Sequence, residues 1–246
     1  MQRPFDANYS NGTNQAVTDN HFVDVWIIPI PVELPERLSL SEAEWARAER
    51  MLPIPRRIFI ASHEALRRIL ARYLEIAPDQ IEFEVDAYRK PSLRGATSLS
   101  FNLSHSEELA LVAVTRGRQI GVDVEFVRPI DEMEALVERF FTREENWEFS
   151  RLDAQARTEA FLRLWTRKEA LLKAMGPGLH TPLNRFRVPL EAAAIDERLT
   201  IIEDDTGAAL DWSLFAFEPA PQYVGAVVVE GQVDVPPVLR HYPEDL

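Results

Sequence analysis

The chain has 246 residues, enough for one large domain or two halves of about 120, and either arrangement allows a substantial core. Its composition is 46% hydrophobic, 27% charged and 9% aromatic, which is globular and excludes a disordered, collagenous or coiled-coil chain. With 40 acidic against 27 basic residues, the formal net charge of −13 argues against general nucleic-acid or anionic-membrane binding, and the lack of cysteine excludes disulfides, thiolate catalysis and zinc–thiolate sites.

Residues 1–20 are polar and lack the apolar core of a signal peptide, so they are expected to be a loose leader. No run approaches the ~18 apolar residues of a membrane span, and a cytoplasmic location is the expectation. The run FVDVWIIPI (22–30) alternates and is rich in β-branched and aromatic residues, which predicts a strand. A helix is expected over 40–52, with Ser41 as its cap and Glu44 three residues on. A longer helix is expected over 56–74, starting just after Pro55, where Ile58, Ala61, Leu66, Ile69, Leu70 and Tyr73 recur at helical spacing. Three strands follow at 81–88, 98–105 and 109–117, joined by turns.

After the Gly117 turn the order begins again. A strand, IGVDVEFV (120–127), precedes helices at 132–141 and 142–150 and a long helix over 156–176. Further strands are expected at 185–190, 199–205, 210–217 and 223–231, and the Pro-containing close (233–246) reads as irregular. The halves share a pattern rather than residue identity. The fold class expected is α+β, as two similar lobes over 21–119 and 120–246 with a cleft between them as the place for a ligand.

Three features carry chemistry. On a helical wheel Phe161, Leu164, Leu171, Leu172 and Met175 share one face, with Lys168 near its middle, while Glu169 and Lys173 project together from its margin. Lys168 either lays its stem on apolar surface and pairs its ammonium, or directs a cation toward the cleft. In GVDVE, Asp123 and Glu125 point to one strand face about 6.6 Å apart. They suit either ordinary edge polarity or a divalent cation, with Glu169 as a third ligand; Mg²⁺ needs few carboxylates when phosphates and water complete its shell. The run FNLSHS ends in Ser104, His105 and Ser106, which alone is as compatible with turn chemistry as with binding. Arg56, Arg57, Arg89 and Lys90 are solvated cations or anion ligands.

Taken in order, YRKPSL, FNLSHS, IGVDVEFVRPI, ERFFTREE and LWTRKEALLKAMGPGL resemble the Sfp-type 4′-phosphopantetheinyl transferases, the longer, monomeric, two-lobed class, over at least residues 88–179. The resemblance implies transfer of the phosphopantetheine arm of coenzyme A to a serine of an acyl or peptidyl carrier protein, with release of 3′,5′-ADP. It assigns Asp123, Glu125 and Glu169 to Mg²⁺, with Mn²⁺ the open alternative, and Lys173 to the coenzyme phosphates. Glu169 becomes the base for the serine. Ser104 and His105 contact the coenzyme, His105 at its 3′-phosphate; Lys90 matches the lysine of a GKP motif, with Arg89 in place of glycine, and Arg57 matches an arginine at the adenosine phosphates. Glu44 falls where some relatives place a lysine. Lys168 belongs to the family's KE pair.

Because carrier proteins are commonly acidic and this chain is too, an apolar docking patch around residues 139–141 is expected. Two alternatives stand beside the transferase: a non-catalytic coenzyme A or carrier-binding protein on the same fold, and another Mg²⁺-dependent enzyme acting on a nucleotide pyrophosphate.

Overall fold

A computed structural model describes residues 22–85, 91–95, 97–176, 182–191, 195–203 and 206–246. Strand β1 (Val23–Pro29) opens the chain, followed by helices α1 (Glu42–Ala48) and α2 (Pro53–Leu74) and strands β2 (Phe83–Val85), β3 (Pro91–Leu93), β4 (Leu99–Ser106) and β5 (Leu109–Arg116). The second half runs β6 (Ile120–Phe126), α3 (Met133–Phe140), α4 (Arg143–Ser150), α5 (Ala154–Met175), β7 (Phe186–Arg187), β8 (Ile202–Glu203), β9 (Trp212–Phe217), β10 (Tyr223–Glu230) and β11 (Val238–His241). No helix is long and apolar enough to cross a membrane among the described residues.

Two sheets stack face to face between two long helices. The first has strand order β11-β1-β5-β4 and the second β6-β10-β9. Val23, Val25, Ile27, Leu109, Leu111 and Ala113 meet Ile120, Val122, Val124, Phe215, Val227 and Val229 between the sheets. The opposite faces of β1 and β5 (Trp26, Ile28, Ala110, Val112, Val114) pack on α2, and those of β9 and β10 (Leu214, Ala216, Ala226, Val228) pack on α5. Both faces of β5 are therefore covered, which is why its sequence is apolar almost throughout rather than alternating.

Local chemistry explains most boundaries. Ser41 and Glu44 form the expected capping box at α1, and Thr142 with Glu145 forms another at α4. Helix α2 starts at Pro53 rather than after Pro55, because both prolines fit a first turn whose N–H groups need no helical partner. Helix α5 ends at Gly176, whose φ of 69° an L side chain adopts poorly. The closing segment is not wholly irregular: Val238–His241 pair in parallel with Asp24–Ile27 of β1. That pairing joins residues over 200 positions apart in sequence, so no local pattern marks it. Strand β3 was also not foreseen.

Along the seam between the sheets, β4 and β6 run in the same direction without a backbone ladder. Side chains replace it. Asn102 Oδ1 accepts the Val122 N–H at 2.9 Å and Ser106 Oγ accepts the Phe126 N–H at 3.1 Å. A seam closed by side chains leaves room for functional groups between the two strands.

Candidate active site

On β6, Val122 and Val124 point into the inter-sheet core, so the alternate residues Gly121, Asp123 and Glu125 turn toward α5 and the seam. Gly121 lets the helix come very close: a Cβ built there would lie 2.2 Å from the Ala170 carbonyl oxygen and 2.3 Å from the Ala174 nitrogen. Ala170 and Ala174 are fully buried against the strand. Glu169 and Lys173, each one position earlier on the helix, are carried to the Asp123 side of this contact.

Lys173 Nζ reaches Asp123 Oδ1 at 2.6 Å and Ser104 Oγ at 2.9 Å. Ser104 in turn donates to Asp123 Oδ1 at 2.8 Å, and Ser106 donates to Glu125 Oε2 at 2.8 Å. The structure thus brings together Ser104, Asp123, Glu125, Glu169 and Lys173 from two strands and one helix. Burial raises the pKa of all three carboxyls. At Asp123, Lys173 and Ser104 oppose that rise. At Glu125, Ser106 opposes it and Asp123 adds to it; at Glu169, Asp123 and Glu125 add to it against Lys173. Asp123 thus raises the pKa of Glu125 and Glu169, and Glu125 raises that of Glu169, so beside Lys173 the negative charge of the three is only partly compensated.

Asp123 Oδ2 is buried and has no hydrogen-bond partner. Its other oxygen is doubly occupied, so this atom is available to a cation. The all-oxygen donor set suits Mg²⁺ or Mn²⁺. Among the described residues no group of three or more His, Asp or Glu side chains is closed into a metal cage. Such closure is not required of an ion that usually takes one or two carboxylates together with substrate phosphates and water.

His105, between Ser104 and Ser106, has an exposed ring. Desolvation by surrounding atoms, Lys173 and His63 all hold its pKa below the usual histidine value. Arg57 does not join the carboxylate cluster; its guanidinium donates to the Pro31 carbonyl at 2.9 Å and to Glu108 at 2.6 Å, at the turn that follows β4. Lys90 lies outside the described residues, as does Arg89. Glu44, where a lysine is found in some relatives, belongs to a different network: it accepts from Arg67 Nε at 2.8 Å, contacts His63 Nδ1 at 2.9 Å and closes the α1 capping box.

One open alternative is decided and one expectation is corrected. Lys168 is not directed toward the cleft. It is fully buried, and its ammonium meets Glu145 Oε2 at 2.8 Å and the carbonyls of Leu183 and Phe186 at 2.8 and 2.6 Å. Phe141 is no docking surface either: it is buried against Phe149 and Phe161, while Phe140 packs edge-on to Trp165. Amphipathic α3 turns these rings inward.

Sequence reasoning passed over Asn102, Ser106 and Glu145. A signal was there for the first two: Asn102, Ser104 and Ser106 form a stripe of period two, and Asp123 and Glu125 form another. Two such stripes on strands joined through one hairpin partner invite pairing.

The model for the 4′-phosphopantetheinyl transferase superfamily matches residues 119–228, which include β6 and the whole of α5. The chain is 38% identical over 221 residues to the 4′-phosphopantetheinyl transferase HetI of Nostoc sp. (strain PCC 7120 / SAG 25.82 / UTEX 2576), with 85% of this chain and 88% of that protein covered. It belongs to the 4′-phosphopantetheinyl transferase family. A putative 4′-phosphopantetheinyl transferase of Synechocystis sp. (strain ATCC 27184 / PCC 6803 / Kazusa), slr0495, is 34% identical over 195 residues, covering 77% of each chain. The transferase Sfp of Bacillus subtilis (strain 168) is 32% identical over 125 residues, 51% of this chain and 54% of that one. This transferase is therefore an enzyme of the Sfp type with a mixed α and β fold.

Proposed function

We propose that this enzyme transfers the 4′-phosphopantetheine group of coenzyme A to a serine hydroxyl of an acyl or peptidyl carrier protein, with Mg²⁺ required and 3′,5′-ADP released. The observation that carries this reading is the convergence of Asp123, Glu125, Glu169 and Lys173 at the β4–β6 seam, with one buried Asp123 oxygen unpartnered. Family membership supports it.

Asp123, Glu125 and Glu169 would hold the metal, which when bound supplies positive charge to the coenzyme diphosphate. The remaining work falls to the chain itself. Lys173 is set by Asp123 and Ser104 to face an incoming phosphate and to stabilise negative charge as the 3′,5′-ADP oxygen departs. His105 stands exposed beside it to hold the 3′-phosphate; a dianion would reverse the effect of Lys173 and draw a proton onto the ring. Glu169 takes the serine proton. Its place on α5 puts that base next to Lys173. Proton transfer to Glu169, formation of the serine O–P bond and loss of 3′,5′-ADP balance the reaction.

Action as a monomer in the cytoplasm belongs to the same reading. Intact-protein mass spectrometry tests it: an apo carrier incubated with coenzyme A, Mg²⁺ and the enzyme gains one phosphopantetheine group while 3′,5′-ADP accumulates. Coenzyme A binding without a mass gain on any carrier of a fatty-acid, polyketide and peptide panel would refute it and favour a binding protein. Release of a different nucleotide product would point instead to another pyrophosphate chemistry.

A further inference from the structure

Lys168 and Glu145 stand outside the mechanism just described, yet both side chains are wholly buried and heavily bonded. Lys168 offers three N–H groups to three acceptors: Glu145 Oε2, the Leu183 carbonyl and the Phe186 carbonyl. Glu145 Oε2 also accepts the Thr142 N–H at 2.8 Å as part of the α4 cap, and Oε1 accepts the Val188 N–H at 2.8 Å. One ion pair therefore fastens three pieces of chain: the start of α4, the middle of α5 and the segment 183–188.

Burying such a pair gains little stability over an apolar pair of equal volume, because desolvation cancels most of the attraction. What charge and hydrogen bonding add is direction. Helix α5 is held close to β6 by Gly121 against Ala170 and Ala174, a smooth contact that fixes separation more than rotation, which is left to the polar contacts of Lys173 with Asp123, of Arg167 with the Pro189 and Glu191 carbonyls, and of Lys168. Lys168 immediately precedes Glu169. We infer that the Lys168–Glu145 pair is a positioning device for the transfer reaction: it fixes the rotation of α5 about its own axis and so holds Glu169 and Lys173 on the Asp123 side of the seam. A side chain stands about 5 Å from a helix axis, so a turn of about 20° would carry the Glu169 carboxylate roughly 2 Å out of place. Displacement of that size at a reacting group costs on the order of a hundredfold in rate.

The inference rests on the functional reading above for its rate readout, but not for its binding readout. Glu145→Asp keeps both charges and retracts the carboxylate by one methylene, pulling Lys168 and with it the helix. The double substitution Lys168→Met with Glu145→Gln removes the charges while keeping volume. In both, measured on protein shown to be folded by circular dichroism, kcat is expected to fall at least about tenfold, with the coenzyme A KM raised by a smaller factor as Lys173 moves. Mn²⁺ affinity, read from the electron spin resonance of the free ion, is expected to weaken at least about threefold as Glu169 swings away. A folded Glu145→Asp enzyme with wild-type kcat and wild-type Mn²⁺ affinity overturns the inference, even if its Tm has dropped, because a purely structural pair would change only Tm. If the double variant does not fold, Glu145→Asp decides alone. Wild-type protein that modifies no carrier counts against the functional reading, and the Mn²⁺ affinity of Glu145→Asp then still decides this one.

Discussion

Gly121→Ala is the sharpest test of how the site is assembled. The new Cβ would sit 2.2 Å from the Ala170 oxygen, 2.3 Å from the Ala174 nitrogen and 2.9 Å from the Ala174 Cα, all backbone atoms of α5 that no rotamer change can move. Ordinary contact begins near 3.4 Å, so β6 and α5 must part by roughly 1 Å. Overpacking of this kind costs about 1–3 kcal/mol, which in a chain of this size lowers Tm by roughly 2–12 °C. The larger effect is on rate. Parting β6 from α5 separates Asp123 and Glu125 from Glu169 and Lys173 and stretches the 2.6 Å Lys173–Asp123 contact, for an expected loss in kcat of on the order of a hundredfold. Gly225→Ala is the control. Its Cβ would meet the Phe217 ring at 3.3 Å and the Asp123 carbonyl at 3.4 Å, contacts that a small ring movement relieves, so near-normal turnover is expected. Steady-state transfer to a carrier and thermal unfolding read both variants. A Gly121→Ala enzyme with unchanged kcat would show that the strand–helix approach does not set the site.

Further outcomes follow from the same contacts. Glu169→Gln should cut turnover by at least about a hundredfold while coenzyme A still binds, checked by single-turnover transfer and calorimetry; near-normal turnover removes it as the base. His105→Ala should weaken coenzyme A more than 3′-dephospho-coenzyme A in competition assays, and equal losses would end its assignment to the 3′-phosphate. Asn102→Leu leaves the buried Val122 N–H without an acceptor and should cost about 1–3 kcal/mol in denaturant unfolding, whereas Asn102→Asp keeps an acceptor and should cost less. At Glu44, burial opposes ionisation, but His63, Arg67 and Ser41 outweigh it and bring the pKa from 4.5 down to about 2. A carboxyl depressed on folding contributes stability above its unfolded pKa and loses it as pH falls, so wild type should lose stability between about pH 4.5 and pH 2 more steeply than Glu44→Gln. Parallel acid limbs would contradict that.

Sequence pattern recovers what is local. The capping box at Ser41, the strand faces of β6 and the glycine stop of α5 each depend on residues within a few positions of one another. That Asp123 and Lys173 belong to one site was legible from the resemblance to a family, but their direct 2.6 Å contact was not. The two readings of Lys168 stayed open for a physical reason. A helical wheel shows that a residue points inward, but not which of several inward neighbours waits there, and Glu145 was hidden by its role in a helix cap. The contact of Arg57 with Glu108, 51 positions away, was hidden in the same way. Strand β11 depends wholly on a distant partner, so its sequence carried no sign of it.

That last strand has a consequence for biosynthesis. Until residues 238–241 leave the ribosome, β1 is bonded on one side only and exposes the open edge of an apolar strand, although its own residues are translated early. Arg240 then contributes a guanidinium to Asp24 at 2.9 Å, so a carboxylate buried in the strand also waits for that distant segment. The nascent polypeptide should therefore be most prone to cross-strand misassociation late in its synthesis, and most dependent on holding chaperones then. Stalled chains ending at residue 236 should co-sediment with such chaperones more than free chains that include residues 238–241, and equal co-sedimentation would argue against a vulnerable edge.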